Sequence, residues 1–249
     1  MSTERDLNLH SEPTPQMRRA QLAATGLILL AVTFAGCGAS SEPLSAETPP
    51  NPAVVPTKTA ATDSDAAPIA KPSLHSGDVW VDRIQGADRE FRIESIHDGK
   101  MEVNFWGAEM TTDAAFNIFV YRSLTESSSE PTVSSKPGLW FAFPLYPGKT
   151  WDNRYDWEMM GAAPVRGKAE DHGKVLGWED VKVPAGTFHA LKVEVNSRYY
   201  GKGGMADDGT LVFWYSPQVN RFVKFDYRSI YEGGLLAELV SYKPNKPSD

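Results

Sequence analysis

The chain has 249 residues and a formal net charge of −7, from 25 basic and 32 acidic side chains. An acidic surface repels nucleic-acid phosphates and anionic headgroups, so we expect neither nucleic-acid binding nor electrostatic docking to a membrane. The length is enough for one domain of ordinary size with additional segments.

The first 36 residues have the organisation of an export signal. Met17-Arg18-Arg19 is a compact positive patch, and residues 22–35 carry no charge. As a helix, these fourteen residues would be about 21 Å long, which is shorter than the roughly 30 Å hydrocarbon core of a bilayer. The pattern therefore predicts a cleaved signal peptide over residues 1–36. Met17 is an alternative start, because the acidic residues before it are atypical of a signal.

The end of this segment, Phe34-Ala35-Gly36-Cys37, resembles the lipobox of bacterial lipoproteins, from which Phe34 departs at the first position. The resemblance implies cleavage before Cys37 and lipidation of Cys37, with palmitate among the expected acyl groups. By the same resemblance, Gly38 implies retention at the outer membrane, facing the periplasm. Two or three acyl chains would hold the protein stably on a bilayer. The alternative is a free thiol, since Cys37 is the sole cysteine of the chain.

Residues 37–75 are predicted to form a lipidated cysteine followed by a disordered tether. The 37 residues of 38–74 include 7 prolines and no aromatic side chain, so they cannot bury enough apolar surface to offset the entropy lost on ordering. All seven tryptophans lie in the next segment, 76–243, which we expect to be a single domain. Residues 244–249 are expected to form a flexible tail.

Strand patterns dominate the predicted domain. Apolar and charged residues alternate in Phe91-Arg92-Ile93-Glu94 and in several later segments, and turn sequences separate them at Asp98-Gly99, Pro147-Gly148, Pro184-Ala185-Gly186 and Asp208-Gly209. Only residues 111–115 and 124–129 are candidates for short helices. The predicted class is all-β, with a mostly antiparallel sheet that curls or forms a half-barrel.

Three segments of the second half carry a resemblance to an uncharacterised bacterial envelope family, described as like domain of unknown function 3108. They are Val181-Lys182-Val183-Pro184-Ala185-Gly186-Thr187-Phe188, then Phe213-Trp214-Tyr215-Ser216-Pro217, then Glu238-Leu239-Val240-Ser241-Tyr242. The resemblance implies an antiparallel β domain similar to the half-barrels of lipoprotein carriers. It implies no activity, because the family offers no catalytic residues to compare.

The sequence contains no nucleophile elbow, phosphate-binding loop or paired-histidine metal motif. Asp171-His172 could orient a general base, but it lies in a polar run, 170–174, that reads as a hairpin turn. Glu179-Asp180 and Asp207-Asp208-Gly209 could attract calcium, although exposed turn charge is the better interpretation. We therefore predict no catalytic residues, no metal and no cofactor.

Three functions remain open. The first is a non-enzymatic envelope module, held on the membrane through lipid on Cys37, whose β domain binds a lipid-like ligand or a protein partner. The second is an envelope hydrolase using an Asp/His or Glu/Asp pair, and the third is a purely structural lipoprotein. Aromatic side chains on one strand face, such as Tyr155, Trp157 and Met159, could belong to the core or line a pocket.

Overall fold

The computed structural model describes residues 67–123, 130–201, 206–229 and 233–245. In these ranges the chain forms twelve antiparallel strands and no α-helix, which confirms the all-β prediction. The strands are β1 (Val79–Ile84), β2 (Ala87–His97), β3 (Lys100–Phe105), β4 (Ala108–Asp113), β5 (Ile118–Arg122), β6 (Thr132–Gly138), β7 (Thr150–Met159), β8 (Val165–Val183), β9 (Gly186–Tyr200), β10 (Ala206–Ser216), β11 (Arg221–Ser229) and β12 (Gly233–Lys243).

The sheet closes into a barrel, so the prediction of a curled sheet or half-barrel is wrong in this respect. Each strand pairs with the next, and β1 returns to pair with β12 from Val79↔Lys243 to Ile84↔Ala237. Closure leaves no free edge between the first and last strands. Strand patterns alone could not predict it, because closure depends on accumulated twist and register rather than on any local segment.

Most predicted turns and strands are confirmed. Asp98 and Gly99 form the β2–β3 turn with φ of 50° and 74°, the left-handed conformation that a tight hairpin requires. Residues 184–185 connect β8 to β9 as expected. Residues 111–113, however, belong to β4 and not to a helix, whereas 124–129 lie outside the described residues.

The two acidic turns predicted in the second half are wrong. Residues 170–174 lie in the middle of β8, a strand of 19 residues, and Asp208-Gly209 lies within β10. Polar residues mark these strands because alternate positions face solvent, and the inward positions here are themselves partly polar. Composition that usually indicates a turn therefore occurs within regular strand.

The barrel interior is divided into two parts. The larger part is an aromatic core, in which rings from β3, β10 and β11 pack against Trp140 and Phe141 of the segment between β6 and β7. Ile69 joins this segment through two backbone hydrogen bonds with Leu145, of 2.7 and 2.9 Å. The chain thus contacts the barrel before the first strand begins.

The smaller part of the interior is built from successive inward-facing rows on β7 to β11. The first row places the Trp151 ring over Gly173, its cross-strand partner. The next rows contain polar residues, and the last contains Trp157 over Gly167. We call the polar rows the polar band; its residues are Asn153, Asp171, Ser197, Asp207 and Ser229, with Tyr155 and Tyr199.

In the described part of the chain, no helix is long and apolar enough to cross a membrane. The predicted signal peptide, the lipidation site Cys37, most of the tether and residues 246–249 of the predicted tail lie outside the described residues.

Candidate functional site

An open concavity of about 590 Å³ lies on the outer face of β8 to β11, directly behind the polar band. Two outward-facing rows form its walls, and the backbone at Ser197, Gly209 and Ser229 lies between them. The first row is His172, Asn196, Thr210 and Arg228, and the second is Glu170, Arg198 and Asp208. We call this site the outer concavity.

Paired charges and amides line the outer concavity. Arg198 donates from Nε and Nη2 to the two Asp208 carboxylate oxygens at 2.5 and 2.6 Å, and this hydrogen-bonded pair raises the pKa of Arg198 and lowers that of Asp208. The Thr210 hydroxyl donates to the side-chain amide oxygen of Asn196 at 2.9 Å. The two acidic and two basic side chains of the lining balance, so the surface offers hydrogen bonds without a net charge.

The Asp171-His172 pair, considered as a possible general base, does not form a catalytic unit, because the two side chains face opposite sides of β8. Asp171 points inward and accepts hydrogen bonds from the Ser197 hydroxyl at 2.8 Å and the Leu139 backbone N–H at 3.1 Å. His172 points outward, where its Nδ1 lies 2.5 Å from the Asp152 carboxylate. Both members of the His172–Asp152 pair are more than half exposed.

Burial changes the acid–base properties of the polar band. It raises the pKa of Asp171, although hydrogen bonds from Ser197, Asn153 and the Leu139 backbone oppose the shift. Burial also raises the pKa of Tyr155, with a further contribution from the nearby charge of Asp171, and that of Tyr199, which hydrogen-bonds to Tyr155. The band is a hydrogen-bonded part of the interior whose hydroxyls stay protonated at neutral pH.

The structure does not bring the acidic residues that were considered for calcium into one site. Asp207 faces inward and accepts from the Ser229 hydroxyl, whereas its neighbour Asp208 faces outward toward Arg198. Across the described residues, no group of three or more His, Cys, Asp or Glu side chains could hold a metal ion. Another His/Asp pair, His189 with Asp180 at 2.8 Å, lies on the outer surface, where the imidazole stacks on Trp178.

The aromatic residues considered as a pocket belong to the core. Tyr155 and Trp157 are 5% and 4% exposed and form a small cluster with Ala169 and Tyr199, against which Met159 packs. On β10, Phe213 and Tyr215 face inward, while Trp214 faces outward between the ammonium groups of Lys192 and Lys224. The rings thus fill space rather than line an empty interior.

A buried ion pair in the aromatic core was not predicted from the sequence. Arg221 is fully buried and donates to both Asp82 oxygens at 3.1 and 2.7 Å, and Trp106 donates its indole N–H to the same carboxylate at 2.7 Å. Burial lowers the pKa of Arg221, and the neighbouring Asp82 carboxylate opposes this shift. The sequence did hold one indication of this pair. In Val79-Trp80-Val81-Asp82, alternation places Asp82 at an inward position, where an apolar residue is expected.

A second open cavity, of about 680 Å³, lies on the outer face of β6 to β8, beside the seam between β6 and β7. These strands pair only at Thr132↔Met159, Val133↔Glu158 and Ser134↔Trp157. Beyond Ser134 the seam is bridged by side chains, with the Asp156 backbone N–H donating to the Ser135 hydroxyl and the Asn153 amide donating to the Pro137 carbonyl, both at 2.9 Å. We call this site the seam cavity.

Comparisons with known proteins find similarity at the level of structure alone. No protein-family model matches the chain, and no curated protein matches it. Among solved structures, the hypothetical lipoprotein YmcC from Escherichia coli is 10% identical, with a TM-score of 0.44 over 68% of this chain and 86% of that one. A Bacteroides fragilis protein with a YmcC-like fold is 15% identical, with a TM-score of 0.40 over 71% of this chain and 100% of that one. At these scores the similarity carries no argument about function.

Proposed function

We propose that this protein is a lipid-anchored envelope protein whose barrel is a non-enzymatic module that binds a protein partner through the outer concavity. Anchorage rests on the lipobox-like Phe34-Ala35-Gly36-Cys37, with Gly38 favouring the outer membrane and a periplasmic orientation. The tether would then give the barrel reach from the membrane surface.

The observation that best supports a binding role is that aromatic side chains fill the barrel interior, whereas the outer face of β8 to β11 is concave. Rings of Phe213, Phe225 and Trp140 pack at centroid distances of 5.0 to 6.2 Å inside the barrel, leaving this region to core packing. A lipid chain inside would have to displace these rings, at a cost of several kcal/mol for each large side chain moved out of the core. Of the two predicted ligands, the protein partner is therefore favoured over the lipid-like one.

The chemistry of the outer concavity suits a polar protein surface. Its lining combines guanidinium, carboxylate, amide and hydroxyl groups, and some of them already pair with each other. Such prepaired groups position one another with little loss of side-chain entropy on binding, which favours complementary polar contacts. A hydrolase is less well supported, because Ser197, the hydroxyl residue nearest His172 in the β8–β9 register, donates inward to Asp171.

The binding proposal is tested by site-specific photo-crosslinking in cells that produce the full chain. A photoreactive residue at Thr210, inside the outer concavity, should give one discrete crosslinked product, whereas the same residue at the exposed Lys182 of β8 should not. Arg228→Glu, which reverses one charge of the lining, should reduce the Thr210 product severalfold. Equal products at both positions, or no effect of Arg228→Glu, would contradict the proposal.

Anchorage is tested separately by palmitate labelling of the wild type and of Cys37→Ala. We expect label in the wild type only. Equal labelling of both proteins would remove the lipid anchor from the account while leaving the binding proposal to the crosslinking result.

A further inference from the structure

The chain contains two Asp-Gly sequences in different structural settings. Asp98-Gly99 is the two-residue turn between β2 and β3, whereas Asp208-Gly209 lies within β10. Aspartate followed by glycine can react with its own backbone: the glycine amide nitrogen attacks the side-chain carboxyl carbon and closes a cyclic imide. Glycine favours this reaction because it has no side chain to shield the nitrogen. Since both sites have the same local sequence, a difference in their reactivity would arise from the fold.

The backbone of the β2–β3 turn is close to the geometry that ring closure needs. Asp98 and Gly99 have φ of 50° and 74°, and the His97↔Lys100 pair closes the hairpin around them. A flip of the Asp98–Gly99 peptide bond converts this type I′ turn into a type II′ turn, in which the first central residue keeps its positive φ and has ψ of about −120°. The cyclic imide holds the ψ of its aspartate near that value. Both turn types suit a two-residue hairpin, so the flip leaves the strand pairing intact.

Both reacting groups of this turn are accessible. Asp98 and Gly99 are exposed, and a Cβ added at Gly99 would meet no atom within 4 Å. Among the described residues, no hydrogen bond or ion pair holds the Asp98 carboxylate. The carboxyl group can therefore turn toward the Gly99 nitrogen without breaking another contact.

The Asp208-Gly209 sequence is held away from the same geometry. β10 pairs with β9 through Asp208↔Arg198 and Gly209↔Ser197, and with β11 through Gly209↔Ser229. An antiparallel strand has ψ of about +135°, which is far from the value in the imide. The Asp208 carboxylate also accepts two hydrogen bonds from Arg198, at 2.5 and 2.6 Å. Ring closure at Asp208 therefore requires β10 to leave the sheet locally.

We propose that Asp98 is a site of spontaneous isomerisation to isoaspartate, and that the fold protects Asp208 from the same reaction. In the first step the Gly99 nitrogen bonds to the Asp98 Cγ, the nitrogen loses its proton, and one water molecule leaves. In the second step water adds to one of the two imide carbonyl carbons and breaks its C–N bond. Opening at the main-chain carbonyl of Asp98 leaves the chain linked through Cγ with a free α-carboxylate, so the net composition is unchanged. The reaction is independent of lipid anchorage and of any partner.

The test incubates the folded full chain at neutral pH for several weeks in water enriched in heavy oxygen, followed by peptide mapping with electron-transfer fragmentation. Isoaspartate that carries one heavy oxygen should form at Asp98 at least about tenfold faster than at Asp208. A tenfold difference requires that local opening of β10 cost only about 1.4 kcal/mol. In the chain unfolded in urea, the two sites should react at similar rates.

Asp98→Glu is the matched control, because it keeps the charge of the turn but would have to close a larger ring. It should abolish the isomerised product at position 98. Equal rates at Asp98 and Asp208 in the folded protein, isoaspartate at Asp98 only after unfolding, or a product without heavy oxygen would overturn the proposal.

Discussion

The aromatic core and the polar band lie inside the same barrel, but the first is filled by apolar rings and the second by hydrogen-bonded polar side chains. The core packs aromatic rings in edge-to-face and tilted pairs, and it includes the ion pair of Arg221 with Asp82, whose side chains are almost wholly buried. The polar band fills its space with hydrogen-bonded carboxylates and hydroxyls, centred on Asp171. The difference shows that the end of β7 to β11 that carries the polar band is built less for apolar burial than the rest of the barrel.

That end also carries the outer concavity, because successive residues of a strand face opposite sides of the sheet. Asp171 and Ser197 face inward at the same level as His172 and Arg198 face outward. The candidate site therefore lies on the part of the barrel with the least apolar support. Regions with few buried apolar contacts open locally more readily, a property that binding surfaces commonly have.

The largest change in the free energy of unfolding is expected in the aromatic core. Arg221→Met should lower the free energy of unfolding by about 3–5 kcal/mol, because it leaves the Asp82 carboxylate buried without its cation. Urea unfolding followed by tryptophan fluorescence measures this change. Asp82→Leu combined with Arg221→Met should be less destabilised than Arg221→Met alone; an equal or larger loss in the double variant would mean that the charge pair is not the reason.

A smaller effect is expected at the boundary between the two regions, where Trp151 lies over Gly173. A Cβ added at Gly173 would lie 1.9 Å from Trp151 Cε2, so the ring would have to move. Gly173→Ala should therefore cost about 1–3 kcal/mol, the usual range for overpacking. Gly234→Ala is the matched control, since its nearest contact would be an ordinary 3.4 Å from the Tyr227 carbonyl oxygen; equal losses in both would show that the Trp151 contact does not matter.

The polar band should make the protein less stable as pH rises, because it buries the carboxyl group of Asp171. Burial raises the pKa of Asp171 in the folded state, so the folded protein holds this proton more tightly than the unfolded chain does. The stability contributed by the protonated group is full below the unfolded pKa near 4 and is lost as pH rises through the folded pKa. The urea midpoint of Asp171→Asn should thus vary less with pH than that of the wild type between pH 4 and 7. A steeper dependence in Asp171→Asn would contradict the assignment.

The smallest effect is expected on the outer face. The Arg198 and Asp208 side chains are 52% and 42% exposed, and exposed ion pairs contribute about 0–1 kcal/mol. Arg198→Ala should therefore leave the urea midpoint nearly unchanged while reducing the Thr210 crosslink. A loss of stability as large as that of Gly173→Ala would show that this pair supports the wall and would weaken its use as a binding probe.

Individual strands could be predicted from the sequence, whereas barrel closure and contacts between distant strands could not. Alternation identified β2, β3 and β9, and the Pro184-Ala185-Gly186 turn followed from proline and glycine geometry alone. It failed at 170–174, because a strand facing a polar interior on one side and solvent on the other has the composition of a turn. The Arg221–Asp82 pair joins residues 139 apart in the chain, and such a contact becomes visible only when β1 and β11 are placed in one barrel.

The outer concavity could not be predicted from local sequence patterns either. Its two rows combine side chains from four strands, and none of the segments that supply them carries a recognisable motif. Cys37, by contrast, was predicted from four contiguous residues, since lipidation depends on a linear signal. Linear signals can be read from one sequence, whereas sites assembled across a sheet need the register.

The central claim is that the barrel works through its outer wall and not through a ligand held inside. The most direct test is native mass spectrometry of the full chain carrying Cys37→Ser, purified from the producing cells. Removing the cysteine removes the anchor as a source of lipid mass. The filled aromatic core predicts a protein of its bare mass. A lipid retained at one molecule per chain after gentle desolvation would contradict the account.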